Sequence, residues 1–122
     1  MILVDTSVWV DHLRKRDPAV AAALDAGRVA MHPFVLGEIA CGNLTHRAQV
    51  LALMRDLPCA PIATENEAMD FIDRRKLMGR GIGYVDVHLL ASVVLSGTGR
   101  LWTRDRRLAG VADELSLAFG DD

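Results

Sequence analysis

The sequence predicts an α/β fold, an α/β/α sandwich in which a mostly parallel central sheet is covered on both faces by helices. Short, strongly apolar segments alternate with longer helical patterns, which is typical of parallel strands joined by crossover helices. The first apolar segment, residues 2–5, does not alternate with polar residues, as expected for a strand buried on both faces. At 122 residues and 51% hydrophobic, the chain suits a single domain over residues 1–122.

Capping and turn residues place the elements of the first half. Thr6 or Ser7 is expected to cap the first helix. Asp17 followed by Pro18 predicts the start of an Ala-rich helix that Gly27 ends. The elements predicted up to residue 57 are, in order, a strand at 2–5, a helix at 8–14, a helix from 18 to Gly27, a strand at 28–32, and helices at 33–41 and 44–57.

The second half is organised around a glycine-rich loop. Thr64 and Glu67 have the spacing of a capping box, which predicts a helix opening there. Three glycines within residues 79–83 predict a flexible loop before a strongly apolar helix. The elements predicted from residue 64 onward are a helix at 64–77, the loop at 79–83, a helix at 84–95, a strand at 100–103, a helical region at 104–115 and a final strand at 116–119.

Composition indicates a soluble, cytoplasmic protein. No apolar run approaches the roughly 18 residues that suggest a membrane span. Cys41 and Cys59 form neither a metal-binding pair nor a disulfide framework, so we expect reduced thiols in the core. The large aromatic side chains are expected in the core as well, although Tyr84, beside the glycine loop, is also placed to stack on a base. These core aromatics are Trp9, Phe34, Tyr84 and Trp102.

The charge balance does not by itself indicate a nucleic-acid partner. The formal net charge is −2, without the positive field typical of many nucleic-acid binders. The basic residues nevertheless gather in clusters that can form local positive patches, although solvated helix faces and ends are the ordinary explanation for any single cluster, so the patches support a nuclease only after the acids do. The clusters are Arg14 to Arg16, Arg74 to Lys76 with Arg80, and Arg104 with Arg106 and Arg107.

Four of the 16 acidic residues are not explained by helix caps or polar helix faces. Asp5 ends the first strand and Asp105 lies just past the third, so both should reach the edge where ligands bind in such folds. Glu38 and Asp86 lie in segments that are apolar nearly all round, where a carboxylate is expected to be partly buried. A buried charge is costly unless it is paired or binds a metal.

An ordinary structural role remains the alternative for Glu38 or Asp86 taken alone. Either carboxylate can form a buried salt bridge, and Asp86 is close enough to its helix start to cap it. Four acids converging on one edge of the sheet favour a shared function over four separate structural roles.

A carboxylate cluster persists when a cation neutralises it, because like charges close together destabilise one another. Oxygen ligands alone favour Mg²⁺, with Mn²⁺ as a substitute, over zinc. Such an ion can activate water for attack on a phosphodiester. Thr6 and Ser7 are placed to orient a ligand or water, and a role as simple N-caps fits them equally well.

Four segments in the expected order make the chain similar to the PIN-domain family, specifically its VapC toxin branch. Residues 1–9 (MILVDTSVW) resemble the first motif, with hydroxyls beside the acid, and residues 103–108 (TRDRRL) resemble the closing one. Residues 35–40 (VLGEIA) and 84–91 (YVDVHLLA) match the second and third acidic motifs. The resemblance spans nearly the whole chain, and none of the four acids departs from the family pattern.

The resemblance implies the residues of the site and the activity. Its metal ligands would be Asp5, Glu38, Asp86 and Asp105, with Thr6, Ser7 and Thr103 as hydroxyl companions. The family implies Mg²⁺- or Mn²⁺-dependent cleavage of RNA, a homodimer, and inhibition by a VapB-like antitoxin. Two alternatives remain: another metal-dependent phosphoesterase, such as a DNA nuclease, and a binding-only PIN-like scaffold, which would not need all four acids.

Overall fold

Residues 1–120, the part of the chain that this computed structural model describes, form seven α-helices and three β-strands. The elements are β1 (Ile2–Val4), α1 (Thr6–Arg14), α2 (Pro18–Asp25), β2 (Val29–Ala30), α3 (Pro33–Ala40), α4 (Arg47–Arg55), α5 (Glu65–Arg75), α6 (Tyr84–Ser96), β3 (Arg100–Trp102) and α7 (Arg106–Glu114).

The strands form one parallel sheet in the order β2-β1-β3. Consecutive side chains of a strand point to opposite faces, yet all three residues of β1 are at most 2% exposed. Both faces of the sheet are therefore covered, which confirms the predicted α/β class with a parallel sheet. Because β1 is central and parallel to β3, their carboxyl ends reach the same edge, where the Asp5 N–H donates to the Trp102 carbonyl at 2.9 Å.

Two of the predicted helix starts are confirmed. The Asp17 carboxylate accepts from the N–H groups of Ala19 and Val20, with Pro18 in the first turn. Thr64 and Glu67 form a complete capping box at the start of α5. Both helix starts were predictable because a capping residue and its partners lie within one turn of the chain.

The prediction that Thr6 or Ser7 caps the first helix is wrong. Asp5 is the N-cap, and its Oδ1 accepts from the Thr6 N–H at 2.7 Å. The helix begins one residue after the strand, so both hydroxyl residues lie inside its first turn. Their side chains are thereby available for contacts outside the helix.

Three predicted elements are shorter than expected. The final strand is reduced to a single parallel bridge between Leu101 and Ala118, because Ser116 turns the chain with a left-handed φ of 61°. The second strand covers only Val29–Ala30. The helix predicted from residue 44 begins at Arg47, after His46 adopts a left-handed φ of 55°.

Several side chains predicted to be in the core lie at the surface instead. Trp9 and Trp102 are each 3% exposed, as expected. Phe34 and Tyr84 are 38% and 45% exposed because each lies at the first turn of its helix, beyond the packed layer. Both cysteines are free and exposed: Cys41 follows the end of α3, and Cys59 lies beyond Pro58 at the β2 edge of the sheet.

In the described part of the chain, no helix has the length and hydrophobicity needed to cross a membrane.

Candidate active site

The candidate site is built around Asp5, a carboxylate that is only 7% exposed. Its Oδ1 accepts the N–H of Thr6. Its Oδ2 accepts two hydroxyl donors, Ser7 Oγ at 2.9 Å and Thr103 Oγ1 at 2.6 Å. Each hydrogen bond to an ionised group stabilises the charge and fixes the direction of the carboxylate.

The two hydroxyls also accept hydrogen bonds from the backbone that follows β3. Ser7 Oγ accepts the N–H of Arg104 at 3.0 Å, and Thr103 Oγ1 accepts the N–H of Asp105 at 3.1 Å. Because each hydroxyl oxygen already accepts a backbone N–H, its own proton is donated to the Asp5 carboxylate. The predicted companions Ser7 and Thr103 thus join the start of α1 to the β3–α7 connection.

Sequence reasoning missed the ion pairs of Arg104. Its guanidinium bonds Asp11 at 2.8 Å and also bonds Asp17, so it ties the β3–α7 connection to α1 and to the N-cap of α2. The hydrogen bond from Arg104 holds the pKa of Asp17 below its ordinary value. No local sequence signal predicts these pairs, since Asp17 is already explained by its helix cap.

Glu38 stands on α3 and faces the start of α1. Thr6 Oγ1 donates to Glu38 Oε1 at 2.6 Å. The expectation that Glu38 is partly buried is wrong: its side chain is exposed, because it lies off the face of α3 that buries Val35 and Ile39. Of the two predicted hydroxyls beside Asp5, Thr6 therefore contacts Glu38 and Ser7 contacts Asp5.

Asp86 is half-buried in the first turn of α6, as expected for this segment. Its Oδ2 accepts the N–H of Gly83 at 3.1 Å, so the capping role considered as an alternative is present. Burial raises the pKa of Asp86, and the negative charges of Asp5, Asp105 and Glu38 raise it further, against the opposing hydrogen bond from Gly83. Asp86 therefore caps its helix and also interacts electrostatically with the other three acids.

Asp105 is the N-cap of α7. Its Oδ1 accepts the N–H groups of Arg107 and Leu108 at 3.0 and 3.1 Å. The residue is exposed, and it lies three positions beyond the end of β3. Asp5, Asp86 and Asp105 thus all bond a backbone N–H at a helix start, an ordinary role that sequence analysis had not given to Asp5 or Asp105.

Asp86 lies within electrostatic reach of the other three carboxylates. Asp5, Glu38 and Asp105 all act on the pKa of Asp86. Within residues 1–120, no three acidic, His or Cys side chains are already arranged to hold a metal ion. One oxygen each of Glu38, Asp86 and Asp105 accepts no hydrogen bond in this part of the chain. An all-oxygen, open donor set suits a hard cation that keeps several of its waters.

The predicted basic clusters differ in how far they are neutralised. Arg74 pairs with Asp70 at 2.9 Å, and Arg80 pairs with Glu114 at 2.8 Å. Arg107 forms no ion pair with any described residue, and its side chain lies against Gly81. A Cβ on Gly81, whose φ is 79°, would be 2.6 Å from the Arg107 side chain, so only glycine allows this approach.

The profile of the PIN domain family matches residues 2–114, which include all four acids. The chain belongs to the PIN-domain family. Two curated relatives, each named Ribonuclease VapC32 and each from a strain of Mycobacterium tuberculosis (CDC 1551 / Oshkosh and ATCC 25618 / H37Rv), are 43% identical to it. Both alignments cover 100% of this chain and 98% of the relative, which confirms the resemblance to VapC-type PIN proteins.

A solved structure supports the fold of this PIN-domain protein. PAE2754 from Pyrobaculum aerophilum aligns with a TM-score of 0.63, covering 97% of this chain and 87% of that protein. The two are 19% identical, so the likeness concerns the fold alone. Family and relatives together support the prediction that the PIN-domain protein is an endoribonuclease.

Proposed function

We propose that this PIN-domain protein is a divalent-metal-dependent endoribonuclease and the toxin of a type II toxin–antitoxin module. The observation that carries the proposal is the hydrogen-bonded group at the carboxyl end of β1, where Thr6 bonds Glu38 and Thr103 bonds both Asp5 and the Asp105 N–H, with Asp86 within electrostatic reach. The printed name of its relative, Ribonuclease VapC32, supports RNA as the substrate.

The residues that would hold the metal are Asp5, Glu38, Asp86 and Asp105. Mg²⁺, or Mn²⁺ in its place, would supply a positive charge that activates water and offsets the charge developing on the phosphate. Ser7 and Thr103 keep the Asp5 carboxylate oriented, and Thr6 does the same for Glu38. These hydroxyls are positioning residues, since each acts through a carboxylate.

A VapB-like antitoxin is the proposed protein partner. A groove of about 800 Å³ runs between α1, α3 and α4, and its lining includes Val10, Leu13 and Val50. Glu38 lies on the same lining, so an amphipathic helix in the groove can extend an arginine toward the acids. Such an arm would compete with the metal for the carboxylates.

A homodimer acting in the cytoplasm completes the proposal. Val94 and Leu95 on α6 are 38% and 47% exposed and border one pocket with Phe71 of α5, a surface suited to contact with a second copy. The measured mass in solution, by light scattering, is expected to be twice that of the chain.

The direct test uses matched RNA and DNA strands of the same base sequence. With Mg²⁺ or Mn²⁺ the RNA is expected to be cut and the DNA to stay intact, and EDTA should stop the reaction reversibly. Preferential cutting of DNA would favour the other phosphoesterase. Binding without cleavage of either strand under every metal condition would favour a scaffold. Sequencing RNA 5′ ends after brief expression would then give the substrate and the cut site.

A further inference from the structure

Four aromatic rings, two buried and two exposed, contact one another in series between α3 and α6. His32, Phe34, His88 and Tyr84 contact one another edge to face, with ring centroids 5.1, 4.9 and 4.6 Å apart in that order. His32 is fully buried and His88 is 4% exposed, whereas Phe34 and Tyr84 emerge into solvent. Two buried rings therefore support two exposed ones.

The two exposed rings stand on the same helices as two of the carboxylates. Tyr84 lies within the turn that the hydrogen bond from Gly83 N–H to Asp86 closes, so its backbone is fixed relative to that acid. Phe34 precedes Glu38 by four residues on α3, a spacing that places both on one face of the helix. His88 contacts both exposed rings and thereby joins α3 to α6 at this point.

The contact with His88 favours one orientation of the Tyr84 ring. Its ring meets His88 at 88°, and His88 in turn meets Phe34 at 70°. Edge-to-face contacts of this kind hold aromatic rings in preferred orientations. A pre-oriented aromatic face loses little conformational entropy when a flat ligand stacks on it.

We propose that Tyr84, with Phe34 beside it, stacks on an unpaired base of the RNA next to the phosphodiester that is cleaved. The inference rests on the proposed ribonuclease function and adds a binding contact to the same site. Stacking on an aromatic side chain tolerates every base, because each base has a π face. Tyr84 would therefore position the strand near the acids and require the adjacent nucleotide to be unpaired.

The test measures stacking without cleavage. A short RNA carrying 2-aminopurine is titrated with the protein in EDTA, because the fluorescence of this base falls when it stacks. The variants are Tyr84→Phe, which keeps the ring, and Tyr84→Ala, which removes it. Leu53→Ala is the matched control, since Leu53 is a 70% exposed apolar residue on α4. Thermal melts verify that each variant folds.

The expected results distinguish the loss of the Tyr84 ring from a loss of the folded structure. Tyr84→Phe and Leu53→Ala should quench and bind like the wild type, whereas Tyr84→Ala should lose the quenching and bind about tenfold more weakly, in the range of one stacked base. After Mg²⁺ is added, Tyr84→Ala should show a raised KM with a smaller change in kcat. If Tyr84→Ala melts with the other variants yet quenches and binds like the wild type, the inference is overturned.

Two other outcomes are distinguishable. If Tyr84→Ala turns a dimer into a monomer and the wild type does not quench the probe, Tyr84 belongs to a contact between copies and the inference fails. If quenching depends on Tyr84 but wild-type protein never cuts RNA with any divalent metal, the stacking site stands and the proposed ribonuclease function fails.

Discussion

The hydroxyl of Thr103 donates a 2.6 Å hydrogen bond to Oδ2 of Asp5, although the two residues are 98 positions apart. The contact joins the end of β3 to the end of β1, so the sheet itself sets the direction of the buried carboxylate. The same hydroxyl accepts the N–H of Asp105. Thr103 therefore links two of the four acids.

Replacing Thr103 with Val should weaken both stability and cleavage. The variant leaves a nearly buried carboxylate without one of its donors, which costs about 1–3 kcal/mol of unfolding free energy. Denaturant titration measures that loss, and cleavage of a labelled RNA should slow because Asp5 is less well oriented. Thr103→Ser keeps the hydroxyl and should stay near wild type. Equal stability and activity in Thr103→Val and Thr103→Ser would show that the hydrogen bond contributes nothing.

The raised pKa of Asp86 predicts that neutralising it stabilises the metal-free protein in a pH-dependent way. Above its ordinary pKa of 3.8 the unfolded carboxyl loses its proton first, so the folded state binds more protons and the unfolding free energy falls as pH rises. This loss of unfolding free energy is absent below about pH 3.8 and complete above the raised pKa of Asp86. Asp86→Asn removes it and can still accept the Gly83 N–H.

Thermal melts in EDTA from pH 3 to pH 7 measure this effect. The advantage of Asp86→Asn over wild type should grow with pH, whereas Asp73→Asn, a change at an exposed residue of α5, should show no such trend. Added Mg²⁺ should stabilise the wild type more than Asp86→Asn. A large loss of stability in Asp86→Asn at neutral pH would mean that the carboxylate serves mainly as a helix cap or ion-pair partner.

Salt dependence should separate the basic residues that bind RNA phosphates from those engaged with the protein. Arg107 forms no ion pair with the described residues and lies against the glycine loop, whereas Arg74 is paired with Asp70. We expect Arg107→Gln to reduce the slope of log K against log salt by about 0.7, the value for one contact to a single strand. Arg74→Gln should change it less. If Arg74→Gln reduced the slope more than Arg107→Gln, the basic cluster on α5 would be the one that binds RNA phosphates.

Much of the fold was predictable because its signals are local. The uninterrupted apolar run before Asp5 predicts a strand buried on both faces, and the parallel order of strands then brings Asp5 and Asp105 to one edge. The capping box at Thr64 needs only two side chains and the backbone between them. Membership of the PIN-domain family is consistent with the same four motifs.

The parts that could not be predicted depend on contacts between distant segments. The pairing of Arg104 with Asp11 and Asp17 requires α1, the start of α2 and the β3–α7 connection to meet, and no spacing in the sequence encodes that meeting. The exposure of Glu38 depends on which face of α3 points to solvent, and a helix that is apolar nearly all round does not specify it. The contact of His88 with Phe34 likewise becomes apparent only when α6 meets α3.

The proposed antitoxin should bind the groove and reach the acids. Val10→Asp introduces a charge into the apolar lining and should weaken binding of a small partner encoded nearby, measured by calorimetry. The exposed Leu53 is not part of this lining, so Leu53→Asp is the control and should bind normally. High Mg²⁺ should weaken the hold of the partner's arm, since ion and arginine compete for the carboxylates. If Glu38→Gln/Asp86→Asn leaves inhibitor affinity unchanged at every Mg²⁺ concentration, the arm does not enter the site.

The most direct test of the central claim is the rate of RNA cleavage in four single variants that keep the size of each side chain but remove its charge. With Mg²⁺ present, Asp5→Asn, Glu38→Gln, Asp86→Asn and Asp105→Asn should each cut a labelled RNA at least about a hundredfold more slowly than wild type, as expected when a group acting on the reacting atoms is lost. Asp25→Asn, at an exposed position at the end of α2, should cut at the wild-type rate, and circular dichroism should show all five variants folded. Undiminished Mg²⁺-dependent cleavage by folded Asp5→Asn would contradict the account.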